Sequence, residues 1–219
     1  MTRNQPITLF YSPQTRATGA RVLLEELKVP YELHVLNMKA GEQRQPAYLA
    51  INPLGKVPAV RVGETLVTEQ GAIYLYLADL FPEAGLAPKL TDPDRGAYVR
   101  WLFMAGSCFE PAVIDRHLQR EPASMNETPY ASYDSLIDMV EETLKVGPYL
   151  LGERFTAADL LWGMALRWTT MFGLVEARPA FQAYIERISG RESILKVSAA
   201  DDVMIAQHEA EAARLKTAS

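Results

Sequence analysis

The texture of the chain changes at Phe81, and that break limits the folds open to it more than any other feature. Before it, short β-rich runs alternate with helical ones. Ile7–Tyr11 (ITLFY) reads as a strand, and Arg16–Leu27 carries Val22, Leu23 and Leu27 at helical spacing. Tyr31–Val35 alternates as a second strand, and a short helix is expected around Pro46–Ala50. Ala59–Val62 and Thr65–Val67 are strands parted by Gly63-Glu64, a hairpin turn. Gln70–Leu80 then shows Ile73, Leu75, Leu77 and Leu80 on a helical pattern. The predicted order is β-α-β-α-β-β-α.

Residues Pro82–Pro93 (PEAGLAPKLTDP) hold three Pro and one Gly, which break any helix and mark a linker. Every regular pattern beyond it is helical. Arg95–Leu118 is one long segment with a bend expected at Pro111. Pro129–Val146 follows, with Pro129 suited to a first turn, then Thr156–Phe172, Pro179–Ile188 and a polar tail helix over His208–Lys216. The division predicted is an α/β domain over residues 1–82, a linker over 83–92 and an all-α helical domain over 93–219.

Bulk properties remove several functions. The net charge is −5 and no Lys/Arg stripe forms, which argues against a nucleic-acid partner. The one cysteine, Cys108, excludes an internal disulfide and a Cys-rich zinc site. His34, His117 and His208 are far apart and form no ligand spacing, so no metal is expected. The opening MTRNQPITLF lacks the apolar core of a signal peptide, and no apolar run approaches a membrane span. A cytoplasmic, metal-free protein with no membrane partner is expected.

Three motifs point to one chemistry. Asn52–Ala59 (NPLGKVPA) enters the third strand; Thr68–Ile73 (TEQGAI) joins the fourth strand to a helix; Gly152–Asp159 (GERFTAAD) opens a helix with Thr156 and Asp159 at capping-box spacing. Alone, Pro58 could simply begin a strand, and Glu69-Gln70 could simply cap a helix. In this order, over residues 7 to about 190, they resemble the cytosolic glutathione S-transferase family. The resemblance implies a thioredoxin-like N-terminal domain plus an all-α C-terminal domain, with glutathione as co-substrate.

It also implies roles. The Val57–Pro58 peptide would be cis, leaving the Val57 N–H and C=O to pair with glutathione's cysteinyl unit as an added strand, beside Lys56. Glu69 would take the γ-glutamyl ammonium. Gln70, where the family has Ser, would take its carboxylate with the neighbouring helix amides. The helix-opening Thr156 and Asp159 would serve folding.

A free thiol ionises near pH 8.5, and the thiolate is the nucleophile. Lowering that pKa by about two units needs roughly 2.7 kcal/mol of preferential thiolate stabilisation. The donors would sit in the turn Tyr11–Thr18, where family classes carry a Tyr, Ser or Cys. Pro13–Ala17 (PQTRA) is similar to bacterial members with Pro-Gln-Ser-Arg, which sets Thr15 at the serine's place. Arg16 falls where another bacterial class has its Cys. Thr15 is the first candidate donor, Arg16 adds positive potential, and Ser12 and Tyr11 are reserves. Thr15 also reads as a helix cap, and Tyr11 as core beside Ile7 and Leu9. The electrophile, small and hydrophobic, would lie toward Phe103, Ser107, Phe109 and Glu110. The family further implies a detoxifying transferase acting as a homodimer through its third and fourth helices, with glutathione-dependent reduction, isomerisation or a non-catalytic binding role as alternatives.

Overall fold

The computed structural model describes residues 5–121 and 123–217. The first four and last two residues, which the expected domain limits include, lie outside that set, as does Pro122. The chain forms two compact units, Met1–Ala84 with Glu192–Ser219, and Gly85–Arg191. The stretch from Glu192 onward therefore groups with the sheet, rather than with the helices that precede it in sequence.

The first unit holds a four-stranded sheet in the order β2-β1-β3-β4. Strand β1 (Ile7–Tyr11) runs parallel to β2 (Glu32–Val35) and antiparallel to β3 (Ala59–Val62), which pairs antiparallel with β4 (Thr65–Thr68). The apolar run of β1 is buried because strands flank it on both edges and helix α1 (Ala17–Leu27) packs on it. Gly63 takes φ +57° in the β3–β4 turn, a backbone state open to Gly without a Cβ penalty. Helices α2 (Pro46–Leu49) and α3 (Gln70–Leu80) complete the predicted order.

The second unit is helical among the described residues: α4 (Arg95–Met104), α5 (Glu110–His117), α6 (Tyr133–Val146), α7 (Ala157–Met171) and α8 (Pro179–Ser189). The bend expected at Pro111 is spread over a widened turn at Ala105–Phe109, joining α4 to α5. Pro111 has no N–H for the carbonyl four residues back, and its ring crowds that carbonyl, so the preceding turn opens. Helix α6 begins at Tyr133, later than Pro129. Ser132 caps it, its hydroxyl accepting the Ser135 N–H at 3.1 Å. In the core the Trp162 indole N–H donates to the Trp101 carbonyl at 2.8 Å, and the two rings meet edge to face at 5.2 Å. Asp159 accepts from the N–H groups of Thr156 and Leu150, each at 2.8 Å, and from the Tyr184 hydroxyl at 3.0 Å.

Helix α9 (Glu192–Thr217) returns to the first unit. Its Ile194, Val197, Asp201 and Ala212 are buried and Ile205 and His208 half-buried, all on one i, i+3, i+4 stripe. The expected tail helix His208–Lys216 is only the last part of it.

Candidate functional site

Pairing register brings the predicted residues to one end of the sheet. Phe10 lies opposite Ala59, and Ala59 opposite Thr68. The turn after β1, the approach to β3 and the exit of β4 therefore share an edge. Ser12–Arg16, Lys56–Pro58 and Glu69–Gln70 occupy those three positions, and the Gln70 side-chain amide donates to the Arg16 carbonyl at 3.2 Å.

The turn after β1 is built by its own polar groups. Gln14 takes φ +55°, reversing the chain. The Thr15 hydroxyl donates to the Ser12 carbonyl at 2.7 Å and accepts the Ala17 N–H at 3.1 Å. Thr15 thus satisfies one of the orphan amides at the start of α1, so cap and candidate donor are the same hydroxyl. Ser12 is buried, and its hydroxyl has no hydrogen-bond partner among the described residues. Arg16 is exposed.

Tyr11 is placed differently. Its ring is fully buried, Arg21 lies over its face at 5.3 Å, and its hydroxyl donates to the Asp201 carboxylate on α9. Burial, reinforced by that carboxylate, holds the phenol far above its ordinary range. Tyr11 is a neutral donor committed to Asp201, on the inner side of the turn.

The Val57–Pro58 peptide is cis. Among the described residues neither the N–H nor the C=O of Val57 has a hydrogen-bond partner. The preceding Lys56 carbonyl accepts from the buried Tyr48 hydroxyl at 2.6 Å and from the Asn52 amide at 2.9 Å. Burial pushes the Tyr48 phenol up to about 12, so this donor keeps its proton. Tyr48 and Asn52 fix the peptide plane that orients the open Val57 groups, a support the sequence reading missed.

Glu69 is exposed and takes φ +67°, a rare state for a residue with a Cβ that concentrates at ligand sites. It precedes α3, whose first amides and positive dipole end lie beside it. On the other flank of the turn a cavity of about 170 Å³ is lined by Ser12, Thr15, Met38, Lys39, Ile205 and His208, among others. Ile205 and His208 belong to α9 and were also missed; the only signal for them was a helical stripe from Ile194 to Ala212 that Asp201 and His208 interrupt.

Elsewhere, Phe109 is buried against Trp162 with ring centroids 5.0 Å apart, and so serves the core. Phe103 is exposed, and Ser107 donates to its carbonyl at 2.9 Å. Among the described residues no group of three or more His, Cys, Asp or Glu could hold a metal ion, and no helix is long and apolar enough to cross a membrane.

The chain is similar to known proteins along most of its length. Residues 5–79 match the glutathione S-transferase N-terminal domain, and residues 117–192 the glutathione S-transferase C-terminal domain. Glutathione S-transferase F13 of Arabidopsis thaliana is 31% identical over 205 residues, covering 86% of this chain and 94% of that one. The disulfide-bond oxidoreductase YfcG of Escherichia coli is 28% identical over 214 residues, covering 90% and 98%. A Sulfitobacter glutathione transferase homologue, solved with bound glutathione, superposes with a TM-score of 0.72 at 28% identity, covering 91% and 98%. Matched from the first strand through the helical unit, the chain belongs to the glutathione S-transferase family.

Proposed function

We propose that this protein is a glutathione transferase that binds glutathione along the common sheet edge and activates its thiol for attack on a small hydrophobic electrophile. The observation that carries the reading is the open backbone of Val57 beside the hydroxyl-bearing turn. The cysteinyl unit of glutathione adds to Val57 as an extra strand. Glu69 takes the γ-glutamyl ammonium; Gln70 and the α3 amides take its carboxylate. Lys56, exposed at the rim, adds positive potential. The thiolate then faces Thr15, Ser12 and the N-terminus of α1, with Arg16 nearby.

Thr15 has one hydroxyl hydrogen, directed at the Ser12 carbonyl. Donating to the thiolate requires that hydrogen to swing away while the oxygen keeps its contact with Ala17. Ser12 carries no such commitment and is the second donor. Tyr11, engaged by Asp201, acts from behind the turn. Attack forms the carbon–sulfur bond as the leaving group departs with its electron pair, and the thiol proton goes to solvent.

A second reading, glutathione-dependent reduction, is favoured by the likeness to the oxidoreductase YfcG. Here it would use glutathione's own sulfur, since Cys108 lies in the other unit. Membership of the family, and not the site itself, motivates the further proposal of a cytoplasmic detoxifying role and a homodimer. One experiment separates the chemistries: the protein is incubated with glutathione and either chlorodinitrobenzene or a glutathione mixed disulfide. Formation of the dinitrophenyl conjugate supports transfer. Release of oxidised glutathione alone would move the function to reduction, and neither product would discard both. Light scattering at micromolar concentration is expected to give twice the chain mass; one chain mass would remove the dimer.

A further inference from the structure

Helix α9 is fastened to the sheet side by a ladder of polar contacts. Ser193 donates to Glu26, and Lys196 pairs with Glu25 at 2.6 Å. Farther along, Asn37 donates to the Glu211 carboxylate at 2.9 Å and to the His208 carbonyl at 3.3 Å. The middle rung differs because it is buried. The carboxylate of Asp201, 4% exposed, receives the Tyr11 hydroxyl, the Thr18 hydroxyl at 2.9 Å and the Arg21 guanidinium at 3.4 Å. A buried carboxylate is tolerated only when its lone pairs are met this fully. One turn and two turns beyond Asp201 on the same stripe, Ile205 and His208 line the cavity that borders Ser12 and Thr15.

We propose that Asp201 is a positioning residue for substrate choice: it fastens α9 to β1 and α1, and α9 thereby presents Ile205 and His208 as the selective wall of the cavity over the Ser12–Thr15 turn. The inference rests on the transferase reading for what the cavity admits, but the fastening itself does not. Tyr11 links the two halves of the device. Its backbone ends β1 and leads into the thiol turn, while its hydroxyl holds the helix that walls the turn. Ile205 sets the bulk tolerated beside the sulfur, and His208 offers a ring nitrogen to a polar substituent on the electrophile.

The test compares the natural chain with Asp201→Ala, Asp201→Asn and Ile205→Ala, singly and as the Asp201/Ile205 double variants. Amide hydrogen exchange along α9 needs no substrate. It is expected to rise about tenfold in Asp201→Ala relative to α7 and to be partly restored in Asp201→Asn, whose amide still accepts from Tyr11. Turnover is compared for chlorodinitrobenzene and a bulkier naphthyl analogue. Ile205→Ala is expected to shift the kcat/KM ratio toward the bulkier substrate by about tenfold, and to lose most of that shift when Asp201 is Ala. If Asp201→Ala does not fold, Asp201→Asn carries the same comparison. Unchanged exchange in α9 overturns the fastening, and an equal Ile205→Ala shift in both backgrounds overturns the positioning role. A natural chain that binds no glutathione overturns the transferase reading instead, and exchange still decides the fastening.

Discussion

Two buried aspartates, one in each unit, each accept a tyrosine hydroxyl, yet they are held in different ways. Asp159 at the start of α7 takes the N–H groups of Thr156 and Leu150, three and nine residues away, and then Tyr184. Among the described residues, Asp201 on α9 takes only side chains from α1 and β1: Tyr11, Thr18 and Arg21, at least 180 residues earlier. The first closes a local backbone problem, since a helix start leaves unpaired amides that must be met. The second ties distant segments together and stands beside the cavity. A buried carboxylate fed by backbone amides marks a folding element. One fed by side chains from far along the chain marks a joint between elements, and here that joint borders the proposed site.

The contrast can be broken in order of size. Asp159→Ala strands two backbone amides in the core and leaves the Tyr184 hydroxyl only the residue-159 carbonyl at 3.2 Å; it should cost about 3–5 kcal/mol and lower the urea midpoint of the helical unit. A loss under about 1 kcal/mol would mean that solvent replaces the carboxylate. Asp201→Ala leaves the Tyr11 and Thr18 hydroxyls without their carboxylate, while Arg21 keeps Tyr31, and should cost about 2 kcal/mol, with the change concentrated in α9. Thr156→Ala removes only the cap side chain and should cost roughly 1 kcal/mol by the same measurement.

Alkali sharpens the comparison further. The buried phenols Tyr11 and Tyr184 both have raised pKa values, as does Tyr48, at about 12. A folded state that raises a phenol's pKa favours its neutral form. That stability is complete below the unfolded value near pH 10 and is lost as pH rises through it toward 12. The phenols' contribution to the melting temperature should therefore be flat below pH about 9 and fall steeply above 10. A Tyr11→Phe variant should show a shallower fall, and an identical slope would mean that Tyr11 titrates freely.

Much of the fold was legible in the sequence because its cues are local. The period switch in residues 7–80, the Gly63-Glu64 turn and the Thr156–Asp159 spacing each depend on neighbours a few positions apart. So did the site's frame, since NPLGKVPA and TEQGAI flank strands that pair in register. The α9 stripe was hidden because Asp201 and His208 interrupt it with polar residues, while exposed Leu195 and Val203 place apolar ones off its face. Tyr11's commitment was equally hidden, because its partner lies 190 residues away. The roles of Tyr48 and Asn52 rest on a turn geometry that no residue pattern announces.

The central claim is that the turn after β1 stabilises a glutathione thiolate. The direct measurement is the ultraviolet absorbance of that thiolate against pH, with glutathione bound to the natural chain, to Thr15→Ala and to Ser12→Ala. The account predicts a thiol pKa about two units below the free value near 8.5, returning by about one unit when the donating hydroxyl is removed. A bound thiol that titrates near 8.5 in all three proteins would contradict it.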